Sequence, residues 1–372
     1  GARVIDPTQR LDGPSDIGIR GGRIVAVGPT AGMSASTLDG AGLIASAGWI
    51  DLHAHVAYRL GRTSVDPDRD AGIARGVTTV VDAGSCGAGL YDAMHAYVIP
   101  GASTRVLAFL NVSLHTTIAP RHGIWENFNQ QQTIAMAERH AGEIVGIKVL
   151  ASRTHCGAMG ITPVKLAAQA ARLAGTRVMC HIGNAPPVID DVLACLDAGD
   201  IVTHCWHGKP GGLLDRRGGP SPAAAAAVDR GVVFDLAHGS ESFSFETGRR
   251  AIAAGLPVHA VSTDLHARNL AGPVYDLATT MAKMLHLGLD LPRVVAAATA
   301  GPAQALGLDR EIGTLRPGAC ADVTLFRLRP GPVEVRDSEG RVEQARATLE
   351  PVYAVRAGVV VPCVAARPGS DP

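Results

Sequence analysis

Between Gly48 and about Leu308, short apolar runs rich in β-branched residues alternate with longer stretches rich in alanine and leucine. This alternation is typical of repeated βα units and predicts a parallel sheet. The apolar runs are continuous, as expected for strands that are covered on both faces. Eight strands, each followed by a helix, predict a closed (β/α)8 TIM barrel. The eight runs are Gly48–Val56, Val77–Ala83, Arg105–Val112, Ile144–Ala151, Arg177–Ile182, Ile201–Cys205, Gly231–Ala237 and Pro257–Thr263.

Both ends of the chain have a different pattern, in which short strand-like runs are divided by glycine turns. Such segments cannot bury a hydrophobic face alone, so we expect the two ends to combine into one small β-sandwich. The predicted domains are residues 1–44 plus 313–372 for the β-sandwich and residues 45–312 for the barrel. We also expect a few residues to precede Gly1, because Ala2 to Ile5 are typical of the end of a strand.

Composition narrows the classes of partner. The 372 residues include 34 Lys+Arg and 34 Asp+Glu, so the formal net charge is zero and the chain lacks the basic surplus of a nucleic-acid-binding or membrane-surface protein. No apolar stretch approaches the length of a membrane span. The seven cysteines are far apart and form no CxxC pair, which together with the absence of a targeting segment favours a reducing cytoplasm. Fourteen histidines remain to be explained.

Polar residues close five of the eight runs, where the strands of a TIM barrel carry its chemistry. In Ile50-Asp51-Leu52-His53-Ala54-His55, alternation turns both histidines to one side, where they can chelate one metal ion. Lys148 interrupts an apolar run, in which a bare ammonium group is costly to bury. This lysine is either ion-paired or snorkelling, or else carboxylated by carbon dioxide. The residues at the five strand ends are His53, His55, Lys148, His181, His204 and Asp264.

This order of residues resembles the amidohydrolase superfamily, whose binuclear members carry His-x-His, a carboxylated lysine, two later histidines and a final aspartate. The likeness extends over essentially the whole chain, including the closing segment Gly313-Thr-Leu-Arg-Pro-Gly. The stretches Asp235-Leu-Ala-His-Gly, Ser262-Thr-Asp-Leu-His and Gly272-Pro-Val-Tyr-Asp-Leu are similar to the amidohydrolase/deacetylase group, which is often labelled dihydroorotase.

The resemblance implies a metal-dependent hydrolase with two divalent ions, which from the nitrogen and oxygen ligands are expected to be Zn²⁺. His53, His55 and Asp264 would hold the first ion, His181 and His204 the second, and Lys148, as N6-carboxylysine, would bridge them. A hydroxide between the ions would attack the carbonyl of an amide or ester, and Asp264 would act as general acid and base. The expected substrate is a small acylated hydroxy or amino acid. Neither nucleic acid nor a membrane is expected as a partner, and a homo-oligomer is possible.

Four further residues are candidates for substrate contacts: His238 after strand seven, Arg153 beyond strand four, Asn111 after strand three and Tyr275 in the final loop. Two other functions are weighed. A cyclic amidase, such as a hydantoinase or dihydroorotase, is the alternative enzyme, although a dihydroorotase is expected to carry His-x-His-x-Arg and this chain has Ala57 at the arginine position. The other is a barrel scaffold without catalysis, against which the retention of all six ligand positions argues.

Overall fold

The computed structural model describes residues 1–29, 34–116 and 124–364. Residues 365–372 of the predicted terminal domain lie outside the described residues. The secondary structure comprises two seven-stranded sheets and the helices packed around one of them.

The first sheet is a nearly closed barrel in which seven strands pair in parallel, each with the next along the chain. β5 and β6 are buried over their whole length, as expected for strands covered on both faces. These seven strands correspond to the first seven predicted runs, and the α/β barrel class is confirmed. The strands are β5 (Trp49–Ala54), β6 (Val77–Gly87), β7 (Arg105–Asn111), β8 (Ile144–Ala151), β9 (Arg177–Ile182), β10 (Ile201–Thr203) and β11 (Val233–Asp235).

The predicted eighth strand, Pro257–Thr263, does not form as a continuous strand. This segment lies between β11 and β5, and it forms a parallel bridge from Ala260 to Asp235 rather than a continuous strand. Its neighbour Leu265 bridges in parallel to Ala54 on β5. The segment therefore closes the gap in the barrel through a few backbone hydrogen bonds. A continuous ladder does not form here.

Helices surround the barrel, and the main hydrophobic core lies between them and the strands. Their starts follow from the sequence: for example, the Ser221 side chain accepts a hydrogen bond from the Ala224 amide, and Pro222 takes the first helical position. The helices are α1 (Tyr91–Tyr97), α2 (Gln130–Arg139), α3 (Arg153–Cys156), α4 (Thr162–Leu173), α5 (Ile189–Ala194), α6 (Pro222–Asp229), α7 (Phe245–Ala253), α8 (Leu277–His286), α9 (Leu291–Ala297) and α10 (Ala300–Leu306). Within the described residues, no helix is both long and apolar enough to cross a membrane.

The second sheet is built from both ends of the chain, in the order β14-β13-β12-β4-β1-β2-β3. β4 pairs in parallel with β1 and antiparallel with β12, so residues 45–47, which the predicted boundary assigns to the barrel, lie in this sheet. The strands are β1 (Ala2–Asp6), β2 (Leu11–Arg20), β3 (Arg23–Gly28), β4 (Ile44–Ala47), β12 (Val323–Arg336), β13 (Val342–Arg356) and β14 (Val359–Pro362). The hairpin of β12 and β13 is the longest of these, and its tip reaches the barrel.

Candidate metal centre

Closure of the barrel brings His53 and His55 of β5 against Asp264, which follows the closing segment. The Nε2 atoms of His53 and His55 lie 3.4 and 3.1 Å from the same oxygen, Oδ1 of Asp264. One ligand atom from each of the three residues lies within 4.8 Å of the other two, a spacing that can hold one metal ion. The Nζ atom of Lys148, on β8, lies 3.1 Å from His53 Nε2.

His181 and His204 extend this cluster from β9 and from the end of β10. Their ring centroids lie 4.5 Å apart, and the His204 ring is 5.1 Å from that of His53. All six predicted ligand residues are therefore linked through contacts at the carboxyl ends of the strands. Cys180 and Cys205, which flank the two histidines, are buried in the main core between strands and helices.

Hydrogen bonds on the outer side of the rings orient the histidines. His204 donates from Nδ1 to the carbonyl of Ala237 over 2.8 Å, so its Nε2 carries the lone pair when the ring is neutral. His53 Nδ1 lies 2.8 Å from Thr203 Oγ1, and this hydroxyl in turn donates to Asp235 Oδ2 over 2.6 Å. Because the Thr203 hydroxyl proton is used on Asp235, His53 donates from Nδ1 and also presents Nε2 as a lone pair. Carboxylate or carbonyl partners of this kind orient metal-binding histidines.

Asp235 anchors this arrangement from β11. It is fully buried, and Ser262 donates to its second oxygen over 2.6 Å. Burial raises the pKa of Asp235 to about 6, although the hydrogen bonds from Ser262 and Thr203 act against this shift. On the other side of the cluster, His55 Nδ1 lies 2.8 Å from the Ser85 hydroxyl on β6. Two of the histidines are thus held by side chains from other strands.

The protonation states match those that a divalent cation requires. Burial lowers the pKa of His53 and His181 well below the ordinary value and that of His204 to about 3, so the three rings are neutral at pH 7. Burial also acts to raise the pKa of Asp264, but His53 and the hydrogen bond from His55 outweigh it and hold that pKa well below its ordinary range. The pKa of the buried Lys148 amine falls to about 8, again through burial.

The backbone is strained at two of the predicted ligands. His204 and Asp264 have φ angles of 73° and 50°, in the left-handed region that costs a residue with a Cβ atom about 1–3 kcal/mol. Gly239, with φ 56°, lies directly against Asp264, because a Cβ atom at this position would stand 2.5 Å from Asp264 Oδ2. A Cβ atom on Gly84 would likewise meet the Lys148 stem at 2.6 Å. The two glycines thus leave room for these side chains, and the donor set of imidazole nitrogens and carboxylate oxygens fits a divalent metal.

The four predicted substrate contacts have different surroundings. Asn111 ends β7, where its amide donates to the Gly84 carbonyl over 3.0 Å beside the Lys148 stem. Tyr275 is partly buried, with φ 66°, and its hydroxyl packs against Gly272. Arg153 begins α3 and is exposed, and among the described residues no side-chain partner is found for it. Asn111 therefore lies beside one of the predicted ligands, since it is the register partner of Lys148 in the sheet.

His238 lies in a second buried network, next to the loop that carries Gly239. It is completely buried and donates from Nδ1 to the Gly239 carbonyl, while its Nε2 lies 2.7 Å from Nζ of Lys283 on α8. Lys283 is also completely buried and donates to the carbonyl of Pro273 over 2.7 Å. Both nitrogens of His238 are thus engaged by the protein, and we assign it to support of the loop that carries Gly239 rather than to direct substrate contact.

The tip of the β12–β13 hairpin braces the same loop. Ser338 donates to the carbonyl of Gly239 over 2.9 Å, and Asp337 accepts a hydrogen bond from the amide of Phe245 over 3.0 Å. Phe243 is fully buried against His238 at 4.7 Å between ring centroids, so it is a packing residue rather than a lid. The terminal sheet therefore supports the mouth of the barrel from a distance of about 100 residues along the chain.

Sequence reasoning did not identify Thr203, Ser262, Lys283 and Ser338 as parts of the site. Lys283 stands among apolar residues in Leu277-Ala-Thr-Thr-Met-Ala-Lys283-Met, so the argument applied to Lys148 could have found it. Thr203 ends β10, one residue before the predicted ligand His204, and Ser262 lies in the closing segment, two residues before the predicted ligand Asp264. The hairpin turn at Ser338 carries no local feature that points to the barrel.

Comparison with known proteins gives one consistent family. A model of the amidohydrolase family matches residues 235–361. A deacetylase of Agrobacterium fabrum is 37% identical over 348 residues, which cover 92% of this chain and 85% of that protein. A crystal structure described as an adenine deaminase is 34% identical, with a TM-score of 0.91, and covers 97% of this chain and 98% of that one. Another, described as a dihydroorotase, is also 34% identical, with a TM-score of 0.89 and coverage of 99% and 98%.

Proposed function

The chain belongs to the amidohydrolase superfamily, and from this premise we propose that it is a metal-dependent deacylase of small acylated hydroxy or amino acids. The observation that carries the proposal is the cluster of His53, His55 and Asp264 beside Lys148, with His181 and His204 next to it. The similarity to a deacetylase over most of both chains supports an acyl group as the part removed.

The residues divide into two sets of ligands. His53, His55 and Asp264 would hold one divalent ion, His181 and His204 a second, and Lys148 would lie between them. Imidazole and carboxylate donors without thiolate favour Zn²⁺. When bound, such a pair of ions lowers the pKa of a water molecule and polarises the carbonyl of the substrate.

Lys148 can join this set only after a change of charge, because a protonated amine repels a cation. Its neutral amine attacks carbon dioxide, a nitrogen–carbon bond forms, and one proton is released, which leaves a carbamate with one negative charge. A pKa of about 8 leaves about a tenth of the amine neutral at pH 7, far more than for a lysine with the ordinary pKa of 10.5. Burial destabilises the ammonium form and so supplies the neutral amine that reacts, whereas the negative charge of the carbamate would be stabilised by the divalent ions beside it.

Asp264 is the residue that we expect to move the proton. Its pKa lies well below the ordinary range, so it begins the reaction as a carboxylate and can accept a proton from the attacking water. The side chain is 15% exposed, whereas that of His53 is 1% exposed. Asp264 is therefore open to the mouth, where it can pass the proton to the leaving nitrogen or oxygen of the substrate.

A substrate carboxylate needs a cation at the mouth, and we assign this role to Lys209. It follows β10 after His207, and its Nζ pairs with Glu241 over 3.3 Å. Lys209 lies close enough to His155 to lower that residue's pKa, after the larger effect of burial, and the His155 ring is 5.5 Å from that of His181. Arg153, the sequence-based candidate, remains the competing assignment.

A cyclic amide, such as a hydantoin or dihydropyrimidine, is the second candidate substrate class, favoured by the similar structure described as a dihydroorotase. The mouth gives little support for it. Ala57 is buried where a carboxylate-binding arginine would be expected, and the nearby Arg59 is exposed and stacks over the Tyr58 ring at 5.2 Å. The cytoplasmic location and a homo-oligomeric assembly stay predictions.

The proposed function is tested by a hydrolysis screen of metal-replete protein against N-acetyl amino acids, O-acetyl hydroxy acids, hydantoins, dihydroorotate and adenine. We expect the acetylated acids to be turned over best. Preference for the cyclic amides would contradict the proposal and favour a cyclic amidase. Preference for adenine would contradict it and favour a deaminase. Purified protein that contains no transition metal and gains no activity with zinc would support the scaffold alternative.

The carboxylated lysine has its own test. Protein equilibrated with ¹³C-bicarbonate should give a carbamate carbon resonance, and Lys148→Met should abolish it. Lys283→Met serves as the matched control, because Lys283 is equally buried but lies in the second network. A resonance that persists in Lys148→Met would contradict the assignment.

A further inference from the structure

A second group of metal-ligating side chains lies at the other end of the barrel. We propose that His95, His140 and Glu143 form a separate site for one divalent transition-metal ion, of which Zn²⁺ is the best match. One ligand atom from each residue lies within 4.8 Å of the other two. The proposal does not depend on the function proposed for the mouth.

Three consecutive βα units place these residues together. His95 lies in the last turn of α1, His140 directly follows α2, and Glu143 directly precedes β8. Glu143 stands five residues before Lys148 on the same run, which is about 16 Å along an extended strand. The group therefore lies at the amino ends of the strands, the face of a TIM barrel that is associated with stability rather than with catalysis.

The geometry converges on one carboxylate oxygen. Glu143 Oε2 lies 2.9 Å from His95 Nδ1 and 3.9 Å from His140 Nδ1, and the two imidazole rings are 4.5 Å apart between centroids. A small shift of the His95 ring away from the oxygen would admit an ion between the three atoms. Two imidazoles and one carboxylate are a donor set that zinc accepts, with a water molecule in the fourth position.

The outer contacts resemble those that support known types of metal site. His140 presents its other nitrogen, Nε2, to Asp92 Oδ1 at 3.2 Å, so a carboxylate orients this ring from behind. Asp92 is itself paired with Arg139 at 3.4 Å. The Tyr91 hydroxyl donates to Glu143 Oε2 over 3.5 Å. These contacts fix the ring and the carboxylate before any ion binds.

The three side chains differ in their exposure to solvent, and the more exposed ones leave a path for an ion to enter. The His140 side chain is 9% exposed, that of Glu143 33% and that of His95 45%. An ion can therefore reach the site from solvent, and once bound it would tie α1, the end of α2 and the start of β8 together. Binding to the folded state alone stabilises it in proportion to the logarithm of the free zinc concentration.

The test compares zinc stoichiometry in the whole protein and in the double variant His95→Ala/Glu143→Gln. After equilibration with a zinc buffer, elemental analysis should find one more ion per chain in the wild type than in the double variant. Hydrolytic activity should be unchanged, because neither residue lies at the mouth. Glu138→Gln, which removes an exposed carboxylate from α2, is the matched control and should keep the full complement.

A thermal melt separates the metal site from a simple network of ion pairs. Zinc should raise the melting temperature of the wild type more than that of the double variant, since the ions at the mouth are common to both. Equal stoichiometry in the two proteins, or an equal rise in melting temperature with zinc, would overturn the proposal. Cobalt(II) offers an independent probe: the double variant should lose the part of the visible absorption that exceeds the contribution of the mouth, and Glu138→Gln should keep the full absorption.

Discussion

Replacement of Thr203 by valine should weaken the metal centre without touching a ligand. The Thr203 hydroxyl links His53 Nδ1, at 2.8 Å, to Asp235 Oδ2, at 2.6 Å, and all three groups are buried. Valine has nearly the same shape but can neither donate nor accept. The substitution therefore removes the partner that orients the His53 ring and leaves two buried polar groups to find new ones.

The magnitude follows from these two bonds. A buried polar group left without a partner costs about 1–3 kcal/mol of stability. His53 Nδ1 and Asp235 Oδ2 already lie 3.6 Å apart, so a small movement can join them directly and recover part of this loss. We therefore expect a decrease of about 1–3 kcal/mol in the free energy of unfolding, rather than the sum for two groups. The same movement turns the ring, so zinc affinity should fall about 10- to 100-fold, as for other residues that orient metal ligands.

The assay is competition for zinc with a chromogenic chelator, together with urea denaturation of metal-free protein. Thr299→Val is the matched control. Thr299 directly precedes α10, and its buried hydroxyl donates a hydrogen bond to the Val295 carbonyl, far from the predicted ligands in sequence. This substitution should lower stability but leave zinc affinity unchanged. Wild-type zinc affinity in Thr203→Val, or an equal loss in Thr299→Val, would refute an orienting role for Thr203.

Three further outcomes are expected. Lys148→Ala should reduce kcat/KM by about 100-fold or more and lower the number of bound metal ions, since it removes the group placed between the two ligand sets; near-wild-type turnover with two ions bound would contradict this. Lys209→Met should raise KM for an acetylated acid about 10-fold with little change in kcat, whereas Arg153→Met should not, and the reverse ranking in steady-state kinetics would move the carboxylate contact to Arg153. Glu343 on β13 forms an ion pair with Arg249 on α7. The Arg249 guanidinium lowers the pKa of Glu343 to about 2, so the pair stabilises the fold above the ordinary pKa near 4.5 and loses this effect as pH falls towards 2. The difference in melting temperature between wild type and Glu343→Gln should therefore shrink from pH 6 to pH 3, and a constant difference would count against this ion pair.

Much of the barrel could be predicted because its strands are covered on both faces. Ile144–Ala151 and Arg177–Ile182 have the same bounds in sequence and structure, since most of their side chains are apolar and are buried between the barrel interior and the helices. The closing segment could not be predicted in the same way. Pro257–Thr263 has the composition of a strand, but whether it forms a continuous ladder depends on the backbone positions of β11 and β5.

The sequence by itself determined which residues are the candidates for the proposed metal centre. Alternation and the ends of apolar runs place His53, His55, Lys148, His181, His204 and Asp264 on one side of a barrel, and these depend on neighbours only a few residues away. Only the tertiary structure decided what holds those residues. Thr203 and Asp235 orient His53, Gly239 leaves room for Asp264, and Ser338 braces the Gly239 loop from the far end of the chain. The physical reason is that a buried polar group needs a hydrogen-bond partner, and that partner is whichever group the closed barrel and its hairpin bring within reach. The local sequence pattern does not predict which group this is.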